Sequence, residues 1–348
     1  MGDDHMIFPW QETSWQQVMR LRSGLDSSLD SGLPHALLFA GAEGIGKQQF
    51  IEAMAQALLC LKPQPDTQMA CGVCEACHLV NKGNHPDLLS LAPENSQKII
   101  SIDDIRALIN FSQSTPQLAN CRVALLHDAH SMQSAGANAL LKTLEEPAPG
   151  VYLLLQTAYP LQLLPTLRSR CQRVNLALPA RDLAVEWLKT QLNENNDIKR
   201  CHLLLNIARG SPQRALSLAE PSAWQARLTV MDSLLNSQET ISALALRMTD
   251  IPLVTILSFW HGILSDLSKL VLDNTLSEDF LINTDYYIPI ANIVASNRSH
   301  GSVLQSFASA LQMVQGSVRR RVAINHLLTL EDLLLKWQSI LHGKQCRV

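Results

Sequence analysis

Two groups of residues in this 348-residue chain have the types and spacing to do chemistry. The first is GAEGIGKQ, Gly41 to Gln48. It follows the pattern G-x-x-x-x-G-K-[ST], in which backbone N–H groups and a helix N-terminus surround phosphates, the lysine reaches the outer ones and the final hydroxyl holds magnesium. Gly41, Gly44, Gly46 and Lys47 keep the phosphate-binding part, but Gln48 stands where the hydroxyl belongs. The loop geometry is expected to survive without its metal chemistry. Lys47 then has two roles open to it, a phosphate contact or a solvated lysine at a helix start, and the missing ligand favours the second.

The second group is Cys60, Cys71, Cys74 and Cys77. The C-x2-C-x2-C run lets thiolates converge in tight turns, and Cys60 can return from the end of the preceding helix. Four thiolates fill a closed tetrahedral zinc site, which adds folding energy and leaves no open position for catalysis. Reduced thiols, disulfides in an oxidising compartment, or His78 in place of one ligand are the alternatives. Cys121, Cys171, Cys201 and Cys346 are scattered, so in a cytosolic chain the cluster points to metal sooner than to a disulfide framework.

The elements that must position these groups read clearly. HALLFA is a short apolar strand ending at the glycine loop, and QQFIEAMAQALLCL repeats apolar residues at helical spacing. DLLSLAP, CRVALLHDA, VYLLLQTA and QRVNL are further strands. Between them lie SIDDIRALINFSQ, with Ser101 and Asp104 forming a capping box, and NALLKTLEEP, a helix stopped by Pro147. Apolar strands alternating with helices predict a parallel sheet covered on both faces. Beyond Pro179 the pattern is helical, with Gly210 to Pro212 breaking one helical stretch in two.

Composition narrows the classes. With 47% hydrophobic and 17% charged residues the chain is an ordinary globular one. A net charge of -3 gives no general attraction to phosphate backbones. No run of about 18 apolar residues predicts a membrane span, and the acidic N-terminus lacks a secretory layout. A cytoplasmic address is expected.

NALLKTLEEP (Asn138 to Pro147), LRSRC (Leu167 to Cys171) and the cysteine insert after the first helix together resemble the clamp-loader branch of the AAA+ ATPases, in particular bacterial DNA polymerase III clamp-loader subunits. The likeness spans nearly the whole chain. It implies an α/β fold: an AAA+ domain over residues 1–178 with the zinc module at 60–77, a helical lid at 179–220 and an all-α collar at 221–348. In the family's register His127 occupies the position of the magnesium-supporting aspartate and Asp128 that of the water-activating glutamate. One residue over, Asp128 would be the aspartate and Ala129 would replace the glutamate. Either way one acid is missing. Gln213 occupies the place of the family's self-sensing arginine, and Arg214 follows about 100° around the helix.

These departures imply a stator-type subunit that does not itself hold or hydrolyse ATP. The resemblance supplies gamma/tau and delta subunits, the sliding clamp and, through the complex, primed DNA as partners, with one copy of this chain in a heteropentamer. The competing reading is an ATP-hydrolysing gamma/tau-type motor or a related DNA-repair ATPase. Polymerase chemistry lacks a paired-carboxylate metal site here and would belong to the assembled holoenzyme. Within LRSRC the family places an arginine finger at Arg170, acting on a neighbour's nucleotide. Arg168 is the local competitor, and carboxylate binding at a structural interface is the plainer role. Thr157, at a sensor position, is expected to make a strand-end hydrogen bond, and His127 to be structural. Arg319 to Arg321 form a basic run expected on a solvated helix face. The segment from Ala323 to Trp337 carries an apolar helix face that either joins subunits or packs within one domain.

Overall fold

The computed structural model describes residues 7–22, 32–93, 99–192, 197–236, 239–296, 300–319 and 322–342. The apolar runs form β1 (Ala36–Ala40), β2 (Leu88–Leu91), β3 (Arg122–Leu126) and β4 (Val151–Thr157), and the more polar QRVN forms β5 (Gln172–Asn175). They make one five-stranded sheet in the order β2-β3-β4-β1-β5, every pairing parallel. Successive side chains in a strand face opposite sides, so a strand apolar throughout must be covered twice. Leu37 and Phe39 of β1 accordingly join a core with α1 (Glu12–Arg22) and α2 (Lys47–Leu59). A short helix, α3 (Glu75–Asn81), follows the cysteines. On the opposite face Ala36 and Leu38 meet α4 (Ile102–Ser112), α5 (Ser134–Glu145) and α6 (Pro165–Arg168). A parallel α/β sheet followed along the chain by a helical region is the fold class that the AAA+ resemblance implies.

Local chemistry sets the helix limits. Ser101 Oγ accepts the Asp104 N–H at 3.1 Å and the Asp104 carboxylate accepts the Ser101 N–H at 2.9 Å, closing the expected capping box of α4. Because the strands are parallel, the loops after β1, β3 and β4 leave the same edge of the sheet, where doubly wound folds place their ligands.

The chain divides into two compact units, Met1–Leu183 and Ala184–Val348. The described part of the second holds no strand. It comprises most of α7 (Arg181–Leu192), then α8 (Ile198–Ile207), α9 (Pro212–Ala219), α10 (Pro221–Leu235), α11 (Ile241–Met248), α12 (Leu253–Leu272), α13 (Tyr287–Ser296), α14 (His300–Arg319) and α15 (His326–His342). The break between α8 and α9 is made by Arg209 and Gly210, both at positive φ, with Pro212 opening the next helix. A small core joins α7, α8 and α9, and a larger one joins α10 to α15 around Trp260, Phe307 and Trp337. Of α15, Leu330, Leu333, Leu334 and Trp337 are buried in that larger core, while Leu328 and Leu335 are exposed two turns apart. Packing within one domain therefore explains one face of the helix and leaves the other.

No single described helix is long and apolar enough to cross a membrane. The most apolar long one, α12, buries its Ile256, Trp260, Ile263 and Leu267 in the core. Of the basic run, Arg320, Arg321 and the side chain of Arg319 lie outside the described residues, as does Cys346.

Candidate functional site

Gly41 to Gln48 connect β1 to α2 as a phosphate loop does. Gly44 and Gly46 take φ of 70° and 85°, a region L side chains avoid. A Cβ on Gly46 would also strike the ring of Phe8, which stacks on Trp10 at 4.7 Å. Gln11 donates from Nε2 to the carbonyls of Ile45 and Gly46, both at 2.9 Å, and Trp10 Nε1 donates to the Ile45 carbonyl. The segment from Phe8 to Gln11 thus clamps the loop from behind.

Lys47 is not the solvated lysine expected. It is 7% exposed, and its Nζ donates to the Ala42 carbonyl at 2.7 Å. Burial lowers its pKa, with Glu43 and Asp128 acting in the opposite direction. Gln48 turns along the outside of α2 to Glu52 Oε1 at 2.9 Å. His127, at the end of β3, is buried between Ser90 Oγ at 3.0 Å and Gln156 Nε2 at 3.1 Å. Burial outweighs the nearby Glu52 and Asp128 and lowers its pKa, so the ring is neutral at pH 7. Asp128 follows in the left-handed region at φ 47°.

A polar bracket crosses the front of the loop. Tyr159 donates from its hydroxyl to Glu43 Oε1 at 2.6 Å, and its backbone N–H donates to Thr157 Oγ1 at 3.0 Å. Thr157 Oγ1 also lies 3.2 Å from His130 Nδ1, which makes it the strand-end hydrogen bond expected.

The four cysteines come together. Cys60 ends α2, Cys74 caps α3, Cys77 lies inside it, and all four sulfurs fall within 4.8 Å of one another. Cys60 to Cys74 is 3.9 Å, Cys71 to Cys77 4.0 Å and Cys74 to Cys77 3.4 Å. A tetrahedral ion at about 2.3 Å from each sulfur needs sulfurs roughly 3.8 Å apart. The residues therefore fit a metal, and exposed His78 stands outside the group. Burial raises the Cys60 and Cys77 thiol pKa values. At Cys74 burial acts the same way but is outweighed by backbone N–H groups of Cys77 and Leu61, which bring that thiol to about 6.

Arg170 lies just past α6 with its side chain 34% exposed. Its Nε donates to Glu145 Oε1 at 2.7 Å, its Nη2 pairs with the same carboxylate, and its Nη1 donates to the Thr166 carbonyl at 2.9 Å. Arg168 has its Nε buried without a partner among the described residues. Cys171, the residue after Arg170, is buried, which pushes its thiol up to about 12 and leaves it inert.

Comparison with known proteins follows the same lines. The chain is 33% identical over 337 residues to the DNA polymerase III subunit delta' of Pseudomonas aeruginosa, covering 96% of this chain and 98% of that one. The chain belongs to the DNA polymerase III delta' family. The delta' subunit of Escherichia coli is 36% identical over 228 residues, 65% of each chain. The tau subunit of Escherichia coli is 32% identical over 222 residues, which are 61% of this chain and 33% of tau. A family model described as "DNA polymerase III, delta subunit" matches residues 19–180.

In this delta' family member the glycine loop, the histidine in the acidic position and the cysteines were all legible as motifs. Glu145, Glu43, Tyr159 and His130 were not assigned roles. The LEEP run contained Glu145, but its partner lies 25 positions away, a separation that no local periodicity reveals.

Proposed function

We propose that this delta' family member is a non-catalytic subunit of a clamp loader, the assembly that places a ring-shaped sliding clamp on primed DNA. Its own phosphate loop stays idle while Arg170 acts as an arginine finger on the nucleotide of a neighbouring gamma/tau-type motor. The observation that carries this reading is the contrast between the two edges. At Gly41, Gly44, Gly46 and Lys47 the lysine is engaged by its own loop, a glutamine replaces the hydroxyl and a neutral histidine occupies the acidic position. At Arg170 a fixed, half-exposed guanidinium lies outside any such site.

The rest of the reading follows the family. The cysteines hold a structural zinc ion: four thiolates suit it, and a closed set leaves no catalytic position. Residues 179–220 act as a lid and 221–348 as a collar, with exposed Leu328 and Leu335 meeting helices of other subunits. The delta subunit, gamma/tau subunits, clamp and, through the complex, DNA are the partners, in the cytoplasm.

Reconstitution with gamma and delta subunits tests this. A heteropentamer with one copy of this chain is expected. Arg170→Ala should leave assembly intact and lower ATP turnover at the one adjoining motor site by about 10³-fold. Unchanged turnover there would remove the finger. ATP hydrolysis by the isolated chain would favour the motor reading instead.

A further inference from the structure

A guanidinium on a flexible stem stabilises a phosphoryl group only when held in one orientation, because a misplacement of about 1 Å costs on the order of 10²-fold in rate. Arg170 is held in this way. Glu145 Oε1 takes Nε at 2.7 Å and also Nη2, and the Thr166 carbonyl takes Nη1 at 2.9 Å. These are two hydrogen bonds and one ion pair, and of the five N–H groups a guanidinium offers they leave at least one on each Nη. One unused hydrogen on each terminal nitrogen is what bidentate capture of phosphoryl oxygens requires.

The partner is unusual in its place. Glu145 is the last residue of α5, where a carboxylate meets the negative end of the helix dipole and is disfavoured unless a cation stands beside it. Arg170 supplies that cation. The two side chains are 34% and 49% exposed, so the pair by itself adds little to stability. Its effect is to set direction: α5 packs on α4 and α6, and its last carboxylate fixes the guanidinium just beyond α6.

We infer that Glu145 is a positioning residue for Arg170: it does not touch the nucleotide but holds Nε and Nη2 so that the outer N–H groups of Nη1 and Nη2 are presented to the neighbour's phosphates. The inference rests on the finger reading of Arg170. Glu145→Ala in the reconstituted assembly should lower kcat at the adjoining motor site about tenfold, with KM for ATP unchanged. Glu145→Gln keeps an acceptor for Nε and should fall between. Melting temperature and assembly mass should stay as in the parent, and Glu145→Ala should cost nothing further in an Arg170→Ala background. If Arg170→Ala impairs turnover while Glu145→Ala does not, this inference falls and the finger stands. If Arg170→Ala has no effect, both fall. A rise in kcat, or an additive loss in the double variant, also overturns the positioning role.

Discussion

Asp87, one residue before β2, is fully buried, yet it is ionised at pH 7. Burial pushes its pKa up, but the N–H groups of Leu118, Ala119 and Gln117 donate to the carboxylate at 2.8 to 2.9 Å, Arg122 lies 3.5 Å away, and together they bring it below the usual value. A carboxyl that titrates lower in the folded than in the unfolded chain adds stability above the unfolded pKa of about 3.9, and that stability is lost as pH falls through the folded value. Asp87→Asn leaves buried Arg122 without its charge partner, so denaturant melts at pH 7 should show a loss of about 3 kcal/mol. The gap to the parent should narrow below pH 4; a gap constant with pH would mean that the carboxylate is not what holds the loop. None of this was legible beforehand. The three amides lie 30 to 32 positions away, and HPDLLSL reads only as the approach to a strand.

At the scale of elements, β1, β3 and β4 were readable because they are largely apolar on both faces, a property that belongs to the segment alone, whereas β5 buries only Val174. The cysteine module was readable because its spacing is local. Its consequence for α3 is testable. That helix has seven residues, too few to persist without tertiary support, and two of its cysteine contacts reach back to Cys60 and Cys71. Stripping the metal with a chelator, or replacing Cys74 by Ser, should therefore abolish hydrogen-exchange protection from Leu61 to Asn81 while β1 and β4 keep theirs. Zinc near one mole per mole before stripping is part of the same expectation. Protection in α3 that survives removal would mean that side-chain packing alone forms the helix. Of the C-terminal helices α15 was legible by its own apolar face, while α10 to α14 read only as a helical region, since their apolar faces are defined by one another.

At the scale of the whole molecule, the second unit depends on a polar knot that composition hides. Arg227 of α10 is fully buried, donates to both oxygens of Asp285 at 2.8 Å and to Asn283 Oδ1 at 3.1 Å, and stacks near Trp224 and Tyr286. Asn283 in turn donates from its backbone N–H and its Nδ2 to Asp266 of α12, each at 2.9 Å. One guanidinium thus joins α10, α12 and the segment before α13. Arg227→Ala should destabilise that unit by roughly 3 kcal/mol or more, read as faster exchange in α10 and α12 with β1 to β5 unchanged; equal loosening of the sheet would show that the units do not respond separately. The first unit carries a quieter dependence, in Phe8 lying where a side chain on Gly46 would go. A lineage released from phosphate chemistry would still be barred from exchanging that glycine, because every substitute meets an aromatic ring. The glycine signature can then be inherited for its emptiness, whatever becomes of the phosphate chemistry around it.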